Sequence, residues 1–381
     1  MKVLIKLILM CFLLNHTVLA ATGQQIGPFR LFSELGINFL YDDNILQQPS
    51  DEISSFVTQF EPKLELRHQQ RANTYVARVE SDIGRYIDSS SDDYEDWLLL
   101  GEGDWQLTRR ANFSLRGSYQ QEHDPRGSTD RVSTSNPQSW HATALSGKFT
   151  YGRQRAKAQI ETELGHFIKR YEDFSVDDIN RTEFTTRFYY RVLPKIRLFL
   201  EAGYTLTDYE LASSTQDNNL FNYSIGVKWD ATKKTMGRFK IGYLAKKFDS
   251  DEREEFSGIN WELGLQWIPI NHSTVNISTG QRTNDATGIG DYLLTRDFSI
   301  GWIQQWKRHL STTIDLSLAQ TNFGGNTARL DDVNNLNLAV NYDWHKWLSF
   351  SVGLQLMQRD STEDTSDFDK MIWLIALKMT I

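Results

Sequence analysis

Apolar and polar side chains alternate with a period of two along almost the whole chain, and helical periodicity is nearly absent. In Phe56-Val57-Thr58-Gln59-Phe60-Glu61-Pro62-Lys63-Leu64-Glu65-Leu66-Arg67 the even positions are apolar or neutral, while the odd ones become Gln, Glu, Lys, Glu and Arg. The same pattern holds over 196–204 and 336–344. One face suits lipid and the other suits water. A soluble β-sandwich also alternates in this way, so the pattern gives strands without choosing their solvent.

Three further regularities choose a membrane. Strands are predicted near 29–41, 54–67, 73–86, 97–107, 113–121, 140–151, 156–166, 181–192, 196–207, 220–230, 237–248, 257–267, 273–283, 293–306, 310–322, 334–344, 347–358 and 370–381, with boundaries good to a few residues. They number eighteen, with sixteen as the alternative, and an even count puts both chain ends on the periplasmic side. The connections alternate in length: 68–72, 108–112, 152–155, 193–195, 231–236, 268–272, 307–309 and 345–346 are tight, and the nine others are longer. Short periplasmic turns and long outer loops are the usual asymmetry of bacterial barrels. Charge sorts with that alternation, since the nine long loops hold 33 acidic and 4 basic residues and the eight turns hold 11 basic and no acidic ones. Aromatics also recur just before the turns, at Trp105, Tyr151, Tyr190, Trp229, Trp267, Trp306 and Trp344, as an interfacial girdle on a hairpin repeat. The expected fold is an all-β, antiparallel, up-and-down transmembrane barrel.

The first twenty residues read as a secretory signal: Lys2 and Lys6, an apolar run from Leu7 to Leu14, then Val18-Leu19-Ala20. Residues 21–381 would form the barrel. Nothing after Ala21 offers a helical span, and the one cysteine, Cys11, lies within the signal, which excludes disulfide and thiol chemistry. Removing the signal leaves 39 basic against 49 acidic residues, a net charge of −10 that argues against nucleic acid as a partner.

With a strand spacing of about 4.8 Å and a tilt of about 40°, eighteen strands close at a backbone diameter of roughly 35 Å, leaving something like 15 to 20 Å inside unless a loop folds in. The inward positions include Arg78, Glu80, Asp82, Glu102, Asp104, Arg116, Lys157, Glu161, Glu163, Arg187, Arg191, Arg197, Glu201, Lys240 and Glu262. They read either as structural ion pairs in a solvated wall or as a mixed-charge lining that passes polymer without trapping it. Tyr86, Trp140, Tyr189 and Phe199 also point inward, where they would stack on sugar faces or simply pack against a neighbour.

A barrel enzyme with a Ser and a His on its wall is the competing class. His68, His272, His309 and His345 fall in periplasmic turns, and His123-Asp124 is the pair that suggests a base with its orienter. No cofactor is expected. The densest acidic cluster is Asp249, Asp251, Glu252, Glu254 and Glu255, which either stays solvated or is bridged by calcium or magnesium; it lacks the spacing of a dedicated calcium loop.

The chain carries Phe39-Leu40-Tyr41-Asp42-Asp43-Asn44-Ile45, then Phe60-Glu61-Pro62-Lys63-Leu64, His123-Asp124-Pro125-Arg126-Gly127-Ser128, Trp229-Asp230-Ala231-Thr232-Lys233-Lys234-Thr235, Gly242-Tyr243 and Lys247-Phe248-Asp249-Ser250. In these it resembles the putative beta-barrel porin 2 family of Gram-negative outer membranes, often associated with exopolysaccharide or capsule biosynthesis. The resemblance implies an exit for a polysaccharide, a periplasmic export protein as partner, and contact with outer-membrane lipid, lipopolysaccharide and the barrel assembly machinery. A general or sugar-selective diffusion porin is the alternative. Barrels commonly end on Phe or Trp, whereas this sequence ends at Ile381.

Overall fold

A strand that is apolar on one face and polar on the other, repeated without helices to cover it, leaves no edge only if the sheet closes on itself. The computed structural model, which describes residues 23–129, 135–153, 155–232, 234–325 and 327–380, does so. The proposed signal, with Cys11, lies outside the described residues.

The strands are Gln24–Ile26 (β1), Phe29–Asp42 (β2), Ser55–Gln70 (β3), Asn73–Tyr86 (β4), Tyr94–Gln106 (β5), Ala111–Asp124 (β6), Gln138–Tyr151 (β7), Ala158–Tyr171 (β8), Ile179–Leu193 (β9), Ile196–Tyr209 (β10), Asn218–Thr232 (β11), Thr235–Phe248 (β12), Phe256–Ile270 (β13), Ser273–Asp285 (β14), Tyr292–Lys307 (β15), Leu310–Phe323 (β16), Leu330–His345 (β17), Leu348–Ser361 (β18) and Phe368–Thr380 (β19). Strands β2 to β19 form a closed antiparallel barrel of eighteen, each paired with its sequence neighbours, and β19 closes onto β2 from Ile372↔Asp42 to Thr380↔Glu34. The extra strand β1 folds back along Phe29–Leu31, beyond the last β19 partner of β2, and so covers edge that β19 does not reach.

The strands run further at the loop ends than the sequence pattern indicates: β8 reaches Tyr171 instead of 166, and β17 begins at Leu330 instead of 334. Outward positions there include Arg170, paired with Glu210, and Arg85, paired with Glu95. Above the apolar band both faces are wet, so the ladder continues while the alternation that announces it fades.

Pairing assigns the faces. Phe39, Ile225, Ile259 and Ile375 stand more than half exposed on the outside, as lipid-facing side chains must. Pro62 has no N–H to give, and the β3–β4 ladder passes from Phe60↔Ile83 directly to Lys63↔Glu80. Near the turns, Trp229 lies so close over Gly237 that a Cβ there would meet its ring at 2.4 Å. Among the described residues no helix is long and apolar enough to cross a membrane; the strands do the crossing.

Candidate functional site

The lumen wall divides into three sectors, assigned by following the register strand by strand. On β2 to β6 the inward face is rich in carboxylates. Towards the turns these are paired: Glu65 accepts from Arg78 at 2.7 Å and Arg67 at 2.5 Å, and Lys63 meets Glu80 at 3.3 Å. Towards the loops, Glu61, Asp82, Asp96 and Glu122 border one recess of about 380 Å³, where the Tyr94 hydroxyl bonds Asp82 at 3.1 Å and receives the Gln59 amide at 2.7 Å.

The sector on β8 to β12 is basic. Glu201 is almost wholly buried and is shared by three cations: Arg187, Arg238 at 2.9 Å and Lys240 at 2.9 Å; Lys240 also reaches Glu262 at 3.1 Å. Arg238 lies 4.8 Å over the Phe199 ring and Arg197 lies 5.1 Å over Tyr189. A lone carboxylate cannot leave water cheaply, and three converging donors are what make its burial tolerable. The third sector, β14 to β18, presents Asn276, Ser278, Ser299, Thr313, Ser317, Asn335, Asn337, Asn341, Ser351 and Gln355, interrupted at mid-height by Asp297 and Asp315. Apart from those two aspartates and Arg282, which pairs with Asp297, the donors and acceptors named are neutral, as in the Ser351 hydroxyl to Asn341 at 2.7 Å.

Two outer loops cross the mouth. The β13–β14 ladder ends at Trp261↔Gln281, so the last residues of β14 are held by β15 alone. Released from β13, they bend inward: Asp285 takes ion pairs from Arg181 of β9 and Lys246 of β12, and Asn218 of β11 donates to it at 3.1 Å. Beneath this crossing lies a polar cavity of about 450 Å³. The β6–β7 loop crosses from the other side. A Cβ on Gly127 would meet the Leu46 carbonyl oxygen at 2.2 Å, and Arg359 of β18 donates to the Gly127 carbonyl at 3.3 Å. Gly127 also has a positive φ of 73°, so the close approach and the backbone both require glycine.

Arginines clip these loops together. Arg126 binds Asp92 in the β4–β5 loop, with Nε to Oδ1 at 2.7 Å, and those hydrogen bonds push the guanidinium above its usual pKa, so the clip stays charged. Arg253 bonds Asp291 at 2.8 Å and Thr215 at 2.9 Å, tying three loops. Arg329 pairs with Asp331 at 2.7 Å and Glu363 at 3.6 Å.

A family model described as Putative beta-barrel porin 2 matches residues 18–380. The chain belongs to that family. It is therefore a porin-type barrel of the Gram-negative outer membrane. A search of curated proteins found no match. Solved structures of similar fold include Pseudomonas aeruginosa OpdK with vanillate (10% identity, 92% of this chain and 99% of that one, TM-score 0.51) and Acinetobacter baumannii OccAB3 (10% identity, 93% and 100%, TM-score 0.51). At this identity the likeness is one of fold.

In this porin Arg78, Glu80, Asp82, Glu102, Asp104, Arg116, Glu161, Glu163, Arg187, Arg191, Arg197, Glu201, Lys240 and Glu262 share the inward face. Lys157 does not line the lumen: it lies in the turn before β8, its ammonium 4.9 Å from the ring of Tyr190, which points outward. Three of the four supposed sugar-stacking rings have no free face. Phe199 and Tyr189 are buried under Arg238 and Arg197, and Trp140 is buried under Lys169 at 3.9 Å, against Ala142 and Tyr171. Tyr86 is half-buried beside Tyr94. The girdle residues Trp105, Tyr151, Tyr190, Trp229, Trp267, Trp306 and Trp344 all take the outward face.

His123 is oriented by Asp96 at 3.0 Å, not by Asp124, which instead accepts from Trp140 at 2.9 Å and Tyr171 at 3.0 Å. His309-Leu310-Ser311 has the His-x-Ser spacing of outer-membrane phospholipases, but it straddles a periplasmic turn, with His309 exposed. The acids of 249–255 are dispersed: Asp249 accepts from Asn219 at 3.0 Å and Glu254 from the Gly325 amide at 3.1 Å. Among the described residues no three His, Cys, Asp or Glu are grouped to hold a metal. Sequence reasoning missed Arg181, Lys246 and Asp285; the alternation of β14 turns Asp285 outward, and only the end of the β13 ladder frees it.

Proposed function

We propose that this barrel is a diffusion pore for polar solutes of sugar size. The narrowed mouth carries the reading: Asp285 draws the end of β14 inward to β9, five strands round the wall, and Gly127 brings another loop against Leu46 and Arg359. A polymer in transit needs a continuous wide path. A small hydroxylated solute needs groups that replace its lost water, and the Asn, Ser, Thr and Gln sector offers them. One barrel similar in fold was crystallised with vanillate, a small solute. Polysaccharide export beside a periplasmic partner rests on the family resemblance and draws no support from those barrels. Membership in a porin family favours transport over catalysis.

Swelling of liposomes containing the purified protein, in a series of linear glucose oligomers, tests the reading. The expected rates fall steeply from monosaccharide to trisaccharide. Equal rates for the monosaccharide and the hexasaccharide would favour an open export duct instead.

A further inference from the structure

We infer that the periplasmic rim is a binding collar for anionic phospholipid headgroups of the inner leaflet. The inference stands apart from what the lumen transports. Arg109, Arg110, Lys307, Arg308 and Lys346 are exposed on turns around the rim, and Arg71 and Arg153 continue the ring. None of these seven takes part in an ion pair among the described residues.

The opposite rim differs. There two of the outward cations are neutralised by the protein itself, Arg85 by Glu95 and Arg170 by Glu210 at 2.8 Å, while Lys247 and Arg296 take no ion pair among the described residues. The turn cations have been left to find their counter-charge elsewhere.

Depth identifies where. The turns are so tight that Arg308 follows the girdle Trp306 by two residues and Lys346 follows Trp344 by two. A strand rises about 3.3 Å per residue and tilts about 40°, so these charges lie roughly 5 Å beyond the aromatic belt. That is the layer of lipid phosphates, since the headgroup region adds about 5 to 7 Å to each side of the hydrocarbon core. Lys157, 4.9 Å over the outward Tyr190 ring, shows a cation at the level of the girdle. The charges sit on five separate hairpins that run from β15 through β19 and on to β8, about two-thirds of the rim, which fits a row of lipids along that arc better than a partner docking at one point. Anionic headgroups would be drawn to them, and the indole belt above would hold the glycerol and upper acyl region.

The test is lipid retention by native mass spectrometry after reconstitution in equimolar phosphatidylethanolamine and phosphatidylglycerol. Wild type is expected to keep phosphatidylglycerol in about threefold excess. Arg109→Gln, Arg110→Gln, Lys307→Gln, Arg308→Gln and Lys346→Gln together should bring the ratio to about one, while exchanging Lys and Arg at the same five positions should preserve it. The heat-modifiable gel shift of the folded barrel verifies that each variant is closed. Ten millimolar inorganic phosphate should not displace the lipid, because it has no acyl chain to hold against the belt. Equal retention in wild type, persistence of the excess in the Gln variant, or displacement by phosphate overturns the inference.

Discussion

At the scale of single residues, charge in this lumen is organised around a few shared partners. Glu201 holds Arg187, Arg238 and Lys240; Arg238 in turn covers Phe199, whose neighbour Tyr189 lies under Arg197. Glu201→Gln keeps the shape and removes the charge, leaving three cations around a neutral amide. Breaking a buried pair by removing one partner costs about 3 to 5 kcal/mol; a lower urea midpoint for barrel unfolding, with unchanged closure before denaturant, is the expected result. A variant as stable as wild type would mean that water already solvates the cluster. The inward identity of these residues was legible from alternation, because parity survives along a regular strand. Their partners were not. A strand residue meets its neighbour on the next strand only at one register, and the three cations reach Glu201 from β9 and β12, at separations the sequence does not rank. Lys157 was misplaced for the same reason, since parity has no meaning once the chain enters a turn.

At the scale of elements, the loops decide what the barrel does. Strand number, turn positions and the aromatic belt were readable because each hairpin repeats the same physical problem: apolar outside, polar inside, a wet turn, and an interface to mark. The inward folding of two loops was invisible, for it depends on a ladder that stops at Gln281 and on contacts between residues more than one hundred apart, such as Arg181 with Asp285. Among the described residues three loop arginines, Arg126, Arg253 and Arg329, clip the acidic outer loops. Asp285→Asn should therefore loosen the β14–β15 loop and raise single-channel conductance, by roughly one and a half to two times, with noisier open levels. Arg253→Gln, which removes the second anchor of the same loop through Asp291, should act in the same direction, and the double variant should exceed either single one. With the loops clipped by arginine, millimolar calcium should leave conductance unchanged, and closure by calcium would favour bridging of the acids by divalent cations.

At the scale of the whole molecule, orientation and permeation follow from the sorting of charge and loop length. Long acidic loops face outward from the cell and short basic turns face the periplasm. A tag inserted within 249–256 or 360–369 should be reached by protease on intact cells, and Lys234 should react with an impermeant amine reagent only after the outer membrane is opened; labelling of Lys234 on intact cells would invert the molecule. With that orientation, a solute arriving from outside meets the crossed loops first and the three-sector wall afterwards, so size is set at the mouth and chemistry below it. Exclusion of polyethylene glycols of graded size from single channels measures this most directly. Wild type is expected to exclude polymers well below the roughly 15 to 20 Å that an uncrossed eighteen-strand wall would admit, and the Asp285→Asn, Arg126→Gln double variant to shift the cut-off towards that width. A wild-type channel that already admits polymers of the full barrel width, with no shift in the variant, would contradict a size limit set at the mouth.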